Sequence, residues 1–224
     1  HADNTDLMVQ INGIVNEYIH VEKPDQEAVP SRQFDISKID FELLSREFSH
    51  TRRKNLLLRD LDELVNQQLA KMLFANPQRI DYYDRYQEII DAYNAEQNRA
   101  TIEKTFMDLM ELASSLDTEQ QRYVREGFSS DEELSVYDLR FSENLTKQEI
   151  ETIKKVSVDL LTKIKQQIAK LDHWTDKQET KAIVDNLIRN TLWQELPNSY
   201  DVSDIQTYQK KIYEYVYMRY PEVA

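Results

Sequence analysis

The 224-residue sequence predicts an all-α fold, an irregular bundle of about eight to ten helices without a substantial sheet. The chain contains only two glycines, Gly13 and Gly127. Tight hairpins, Walker A loops and Rossmann turns need glycine at positions of positive φ, so the sequence excludes them. Apolar residues recur at helical spacing along nearly the whole chain, and 40% of the residues are hydrophobic, enough to form a core.

Five helices are predicted in the first half of the chain. An opening helix over 7–18 precedes a connector over 21–36, where Pro24 and Pro30 interrupt the helical pattern. Asn76-Pro77 ends the third helix, because the residue before a proline avoids the α region. The five apolar faces consist of Leu7, Ile11, Ile14, Val15 and Tyr18; Phe41, Leu44 and Phe48; Leu58, Leu61, Val65, Leu69 and Met72; Ile80, Tyr83, Tyr86, Ile90 and Tyr93; and Ile102, Phe106, Leu109, Met110 and Ala113.

Capping patterns predict two short helices in the middle of the chain. The range Asp117–Gln120 has capping-box spacing and predicts a short helix that ends near Gly127, a favourable left-handed C-cap. The next start is predicted at Ser129 with Glu132 or at Ser130 with Glu133.

Three longer helices complete the chain. The range Leu145–Ile150 places the capping box Thr-Lys-Gln-Glu between two staple residues and gives the clearest start. Thr175–Gln178 predicts the start of the next helix, which ends at Pro197, and a last helix stops before Pro221. Their apolar faces consist of Ile153, Leu160, Leu161, Ile164, Ile168 and Leu171; Ala182, Ile183, Leu187 and Ile188; and Ile205, Tyr208, Ile212 and Val216.

The chain is rich in tyrosine, with thirteen residues. The alternation of Tyr213, Tyr215 and Tyr217 suits a strand, but the longer stretch 205–216 fits helical spacing and predicts a helix. One helix cannot bury all these rings on a single face, and aromatic residues are favoured at interfaces. These side chains therefore either pack in the core or bind a partner protein. The candidates for partner binding are Trp193, Tyr213, Tyr215, Tyr217 and Tyr220.

Composition limits the partners and the compartment. The net charge of −13 opposes nucleic-acid binding over most of the surface. No apolar run reaches the ~20 residues that span a bilayer, so we expect no membrane contact. The absence of cysteine fits a reducing cytoplasm, where we expect the protein. One basic cluster either contacts DNA phosphates or is a solvent-exposed helix start. It consists of Arg46, Arg52, Arg53, Lys54 and Arg59.

We expect no catalytic, cofactor-binding or metal-binding residues in this chain. None of the four histidines has the spacing of a helical zinc protease site, and no serine has the glycine neighbours of a nucleophile elbow. Glu179-Thr180-Lys181 matches half of a restriction-type nuclease site. That site also needs an aspartate on a preceding strand to hold Mg²⁺, whereas the pattern here is helical. An independent hydrolase using Glu179 and Lys181 is a third hypothesis, and we expect no metal-dependent cleavage.

Three ordered stretches carry a family resemblance: Arg53–Asn55 with Leu69–Met72, Asn76-Pro77 and Arg79–Tyr86; Leu145–Glu149 with Leu160-Leu161; and Trp174 with Lys177, Thr180, Lys181, Ala182, Val184, Ile188, Leu192, Leu196-Pro197 and Tyr200. In order and spacing they resemble the C-terminal helical region of the restriction subunit of type I restriction–modification enzymes. The likeness covers residues 38–224, and the set is more specific than any single motif. Lys181 departs from the arginine expected there, which keeps the charge but loses the planar fork.

The resemblance implies a parent protein that is an ATP-dependent DNA translocase and endonuclease, with a nuclease and two motor domains that hold its catalytic residues, ATP and Mg²⁺. This region would be a non-catalytic module that docks the motor onto the methyltransferase and specificity subunits, and DNA would be reached through the assembled complex. Since no Met opens the sequence, we expect a piece of a longer protein. The alternative is a helical domain that contacts DNA near the motor through the basic cluster.

The sequence suggests three segments. Residues 1–37 are expected to be a helix and linker from the preceding helical region. Residues 38–142 form a helical subdomain, and residues 143–224 form a C-terminal helical subdomain, unless these two are parts of one domain.

Overall fold

The computed structural model describes residues 36–96, 98–140 and 144–221. These residues form nine α-helices and two 3₁₀ turns, with no strand among them, which confirms the predicted all-α class. The predicted opening helix over 7–18 and the connector before Ile36 lie outside the described residues. No helix in the described part of the chain is both long and apolar enough to cross a membrane.

Most of the predicted apolar faces in the described residues are buried or partly buried, and the 3₁₀ turns cover Ile36–Lys38 and Pro77–Arg79. The prediction is wrong for part of the helix Gln178–Glu195: Ala182 and Ile183 are exposed, because the face that packs inward carries Val184, Ile188 and Leu192. In chain order the helices are α1 (Phe41–His50), α2 (Lys54–Ala75), α3 (Ile80–Ala95), α4 (Arg99–Gln120), α5 (Arg122–Arg125), α6 (Asp131–Asp138), α7 (Lys147–Ile168), α8 (Gln178–Glu195) and α9 (Val202–Arg219).

The chain divides into two compact units, with unit 1 ending at Arg122 and unit 2 beginning at Tyr123. In unit 1, α2 and α3 both pack on α4. In unit 2, helices α6 to α9 each pack on the next in sequence. The expected domain limits of 38–142 and 143–224 remain a prediction.

The core of unit 1 corrects one predicted helix start. Asp117–Gln120 does not begin a helix, because α4 runs on to Gln120. Leu112 and Leu116 are fully buried and carry the apolar face of α4 past that point. Glu119, inside this range, is buried: its Oε1 accepts hydrogen bonds from Arg79 Nε at 3.0 Å and Arg122 Nε at 2.8 Å. The continuing apolar face and this buried ion pair keep the range within α4.

Local signals in unit 2 are mostly confirmed. Gly127 has φ +83°, the left-handed geometry of the predicted cap. Ser130 caps α6, with its hydroxyl accepting from the Glu133 amide. The Thr146 capping box is complete: Thr146 N donates to Glu149 Oε2 at 2.8 Å, and Glu149 N donates to Thr146 Oγ1 at 3.3 Å.

Thr175 does not cap α8. The helix begins at Gln178, and its N-cap, Lys177, makes no side-chain capping bond. The chain first passes through a turn in which His173 has φ +46°. This turn delays the helix, and the Thr180 hydroxyl donates back to the Trp174 carbonyl at 2.7 Å.

Candidate functional site

The tyrosines of α9 divide between core and surface. A helix has 3.6 residues per turn, so Tyr213 and Tyr217 share one face while Tyr215 lies nearly opposite them. Tyr215 is 1% exposed, and Tyr217 is 38% exposed. The strand-like alternation is thus a helix with one buried and one accessible aromatic face, and the helical prediction is confirmed.

Trp174 fixes the loop before α8 onto α9. Its indole Nε1 donates to the Tyr220 carbonyl at 2.6 Å. Its ring lies edge-on to Tyr213 and Tyr217, with centroids 6.2 and 5.7 Å away. Lys181 Nζ lies 5.7 Å from the Tyr217 ring, within cation–π range. Trp174 itself is buried, so Tyr213 and Tyr217 rest on a rigid aromatic support.

Two of the predicted partner-binding tyrosines contribute to internal packing. Tyr215 and Tyr220 meet edge to face at 6.4 Å. Burial raises the pKa of Tyr215 to about 12 and also raises the pKa of Tyr220. Tyr215 therefore belongs to the core of unit 2, and Tyr220 is half-buried beside it.

Trp193 is the large exposed aromatic side chain of α8, with 48% of its surface accessible. It borders a pocket of about 470 Å³ between α8 and α9, together with Asp185, Arg189, Gln209 and Tyr213. We name this site, which Gln206 and Lys210 also line, the α8–α9 pocket. Asp185 and Arg189 were not among the site residues predicted from the sequence. Asp185, Arg189 and Trp193 follow one another at intervals of four residues, which puts all three on one helix face, and this spacing is the signal that would have found them.

The α8–α9 pocket combines a hydrogen-bonded carboxylate with a guanidinium that has further donors available. Asp185 Oδ1 accepts from Gln209 Nε2 at 2.8 Å. Arg189 Nη2 donates to the Asn186 amide oxygen at 2.6 Å, and no carboxylate in the described part of the chain pairs with Arg189. Burial raises the pKa of Tyr213, and the negative charge of Asp185 raises it further.

The basic cluster of unit 1 is largely paired with acidic residues. Arg46 lies 3.8 Å from Glu42, Arg59 lies 3.9 Å from Asp60, and Lys54 Nζ lies 2.8 Å from Glu103 Oε1. Arg52 and Arg53 are exposed just before α2, where no carboxylate in the described ranges pairs with them. The structure thus leaves two of the five cations open to a phosphate.

Glu179 and Lys181 lie in the first turn of α8, not beside a strand. Among residues 36–96, 98–140 and 144–221, no group of three histidine or acidic residues is placed to hold a metal ion. Glu179 is exposed, and Lys181 is directed to the Tyr217 ring. The geometry of these residues is that of a packed helix start.

Comparison with known proteins places the chain in a family. Residues 2–220 match the family described as type I restriction enzyme HindI endonuclease subunit-like, C-terminal. No curated protein and no solved structure gives a significant match. Since the match spans nearly the whole sequence, the chain belongs to the family of C-terminal regions of HindI-like type I restriction enzyme endonuclease subunits.

Proposed function

We propose that this chain is a non-catalytic assembly module that docks an ATP-dependent DNA translocase and endonuclease onto its methyltransferase–specificity core. The observation that carries the proposal is the exposed Trp193 beside a pocket on α8 and α9. Binding energy at protein interfaces concentrates in Trp, Tyr and Arg side chains set in such pockets. Tyr213 and Tyr217, held on Trp174, extend the same aromatic surface.

The rest of the enzyme supplies the chemistry in this proposal. ATP and Mg²⁺ bind the motor and nuclease domains of the parent subunit, and DNA is reached through the assembled complex in the cytoplasm. The methyltransferase and specificity subunits are the direct partners. The isolated chain therefore has no ATPase or nuclease activity, and Lys181→Ala leaves that result unchanged.

A pull-down tests the docking role. The tagged 224-residue chain is mixed with the purified methyltransferase–specificity complex of the same restriction system. We expect wild type to retain both subunits and Trp193→Ala to retain much less. Val124→Ala is the matched control, because Val124 is 62% exposed and lies on α5, outside the pocket. A wild-type chain that is folded by circular dichroism and retains neither subunit contradicts the proposal.

Contact with DNA is the alternative function, supported by the exposed side chains of Arg52 and Arg53, which pair with no carboxylate among the described residues. Each phosphate contact contributes about −0.9 to the slope of log K against log salt concentration on duplex DNA. Two contacts therefore predict a slope near −2 in a gel-shift series, lost in the Arg52→Glu, Arg53→Glu double variant. Equal, salt-independent retention of DNA by both proteins contradicts this alternative.

A further inference from the structure

The shape and the side chains of the α8–α9 pocket indicate which kind of ligand would fit it. Trp193 offers a half-exposed indole on one side, and Tyr213 offers a ring on the other. The pocket volume of about 470 Å³ exceeds that of one large side chain and suits a short segment with an apolar anchor. Asp185 Oδ1 already accepts a hydrogen bond from Gln209 Nε2.

Arg189 gives the pocket its charge preference. Its guanidinium has five N–H donors, and the hydrogen bond found for it goes to the neutral amide of Asn186. No carboxylate among the described residues pairs with Arg189, so its remaining donors are available beside the exposed Trp193. A carboxylate fits the planar fork of arginine in two parallel hydrogen bonds, which adds both energy and orientation.

The surroundings favour a protein over a nucleic acid as the occupant. Binding to nucleic acid neutralises several phosphates, whereas Arg189 is the one arginine among the described residues that line this pocket, and Asp185 on the same helix face reduces the local positive charge. Lys210, the other cation lining the pocket, lies 3.8 Å from Glu214. The long-range repulsion between an acidic partner and this acidic chain is screened beyond ~8 Å at physiological salt. The local pairing with Arg189 therefore determines which charge the pocket prefers in its occupant.

We propose that the α8–α9 pocket binds an acidic segment of the partner protein, with an apolar side chain on Trp193 and Tyr213 and an aspartate or glutamate on Arg189. This proposal rests on the docking function and specifies the chemistry of the partner. It places Arg189 at the centre of the interface, next to Trp193 and four residues before it.

Fluorine NMR gives a direct test, because the chain has two tryptophans. The 224-residue chain is labelled with 5-fluorotryptophan and titrated with the unlabelled methyltransferase–specificity complex. Trp193 is exposed and Trp174 is 1% exposed, so the two signals are distinguished by their solvent isotope shifts. We expect the Trp193 signal to shift and lose its isotope effect, while the Trp174 signal stays in place.

Charge reversal tests the role of Arg189. We expect Arg189→Glu to raise the dissociation constant for the complex about tenfold or more. Lys155→Glu is the matched control: Lys155 is an exposed α7 residue, and the substitution changes the net charge equally. We expect that variant to bind within about twofold of wild type.

The outcomes separate this inference from the docking function. Wild type that binds the complex with an unchanged Trp193 signal, or Arg189→Glu that binds as Lys155→Glu does, overturns the inference and leaves docking intact. A folded wild-type chain that does not bind the complex overturns both. A Trp193 shift caused by a DNA oligonucleotide and not by the complex shows that the occupant is nucleic acid and overturns the proposal.

Discussion

Replacing Tyr208 with phenylalanine should destabilise unit 2, because its buried hydroxyl joins three helices. The side chain of this α9 residue is 0% exposed, and its hydroxyl donates to the Val136 carbonyl at 2.8 Å. Val136 lies in the last turn of α6, where carbonyls lack partners within the helix. The Ser157 hydroxyl of α7 lies 3.2 Å away but donates to the Ile153 carbonyl.

The expected cost follows from the group left without a partner. Phenylalanine keeps the buried ring, so the apolar burial is unchanged, while the Val136 carbonyl loses the hydroxyl that satisfies it. An unsatisfied buried polar group costs about 1–3 kcal/mol of unfolding free energy. With a urea m-value of about 2 kcal/mol/M, the unfolding midpoint should fall by about 0.5–1.5 M.

Tryptophan fluorescence during urea unfolding measures this effect in unit 2, because Trp174 and Trp193 both lie there. Tyr217→Phe is the matched control: this ring is 38% exposed, and its hydroxyl makes no hydrogen bond to the described residues. We expect the control to stay within about 0.5 kcal/mol of wild type. A Tyr208→Phe midpoint equal to that of the control refutes the reasoning.

Three further predictions concern stability. Glu119→Gln should lower the unfolding free energy of unit 1 by about 3–5 kcal/mol, because it leaves the buried Arg79 guanidinium without its carboxylate. Hydrogen exchange of unit 1 amides measures this change, and a decrease below about 1 kcal/mol argues against the prediction. The stability of unit 2 should fall as pH rises from about 10 toward 12. Burial raises the pKa of Tyr200 and Tyr215 to about 12 in the folded state, whereas the unfolded chain releases those protons near pH 10. Urea unfolding midpoints that stay constant over this pH range contradict the prediction. His173→Val should lower the unfolding free energy by about 1–2 kcal/mol and His173→Gly should not, because the backbone angle φ of +46° at this position disfavours a branched side chain. Thermal melts of the two variants measure the difference, and equal melting temperatures contradict the prediction.

The fold class could be read from the sequence because its signals are local. Apolar spacing of three and four residues needs no knowledge of the partner helix, and the Thr146 capping box lies within one turn. Asp117–Gln120 has similar spacing but lies inside α4. There the long-range pairing of Glu119 with Arg79 outweighs the local pattern, and sequence spacing does not reveal such a contact.

The candidate site was only partly predictable for the same reason. Exposure of Trp193 and burial of Tyr215 depend on which face of each helix packs on its neighbour. Tyr215 and Tyr217 were both predicted as partner-binding residues, whereas the helix places them on nearly opposite faces. Arg189 was not predicted as a site residue, because its role depends on the absence of a neighbouring carboxylate. That absence among the described residues is a property of the packed structure and not of the sequence.

The most direct test of the docking account is the equilibrium dissociation constant of the wild-type 224-residue chain for the methyltransferase–specificity complex, measured by isothermal titration calorimetry. The account predicts saturable binding with a Kd of about 1 μM or tighter, as specific interfaces of ordinary size allow. Absence of measurable heat with both components folded and at concentrations of about 100 μM would contradict it.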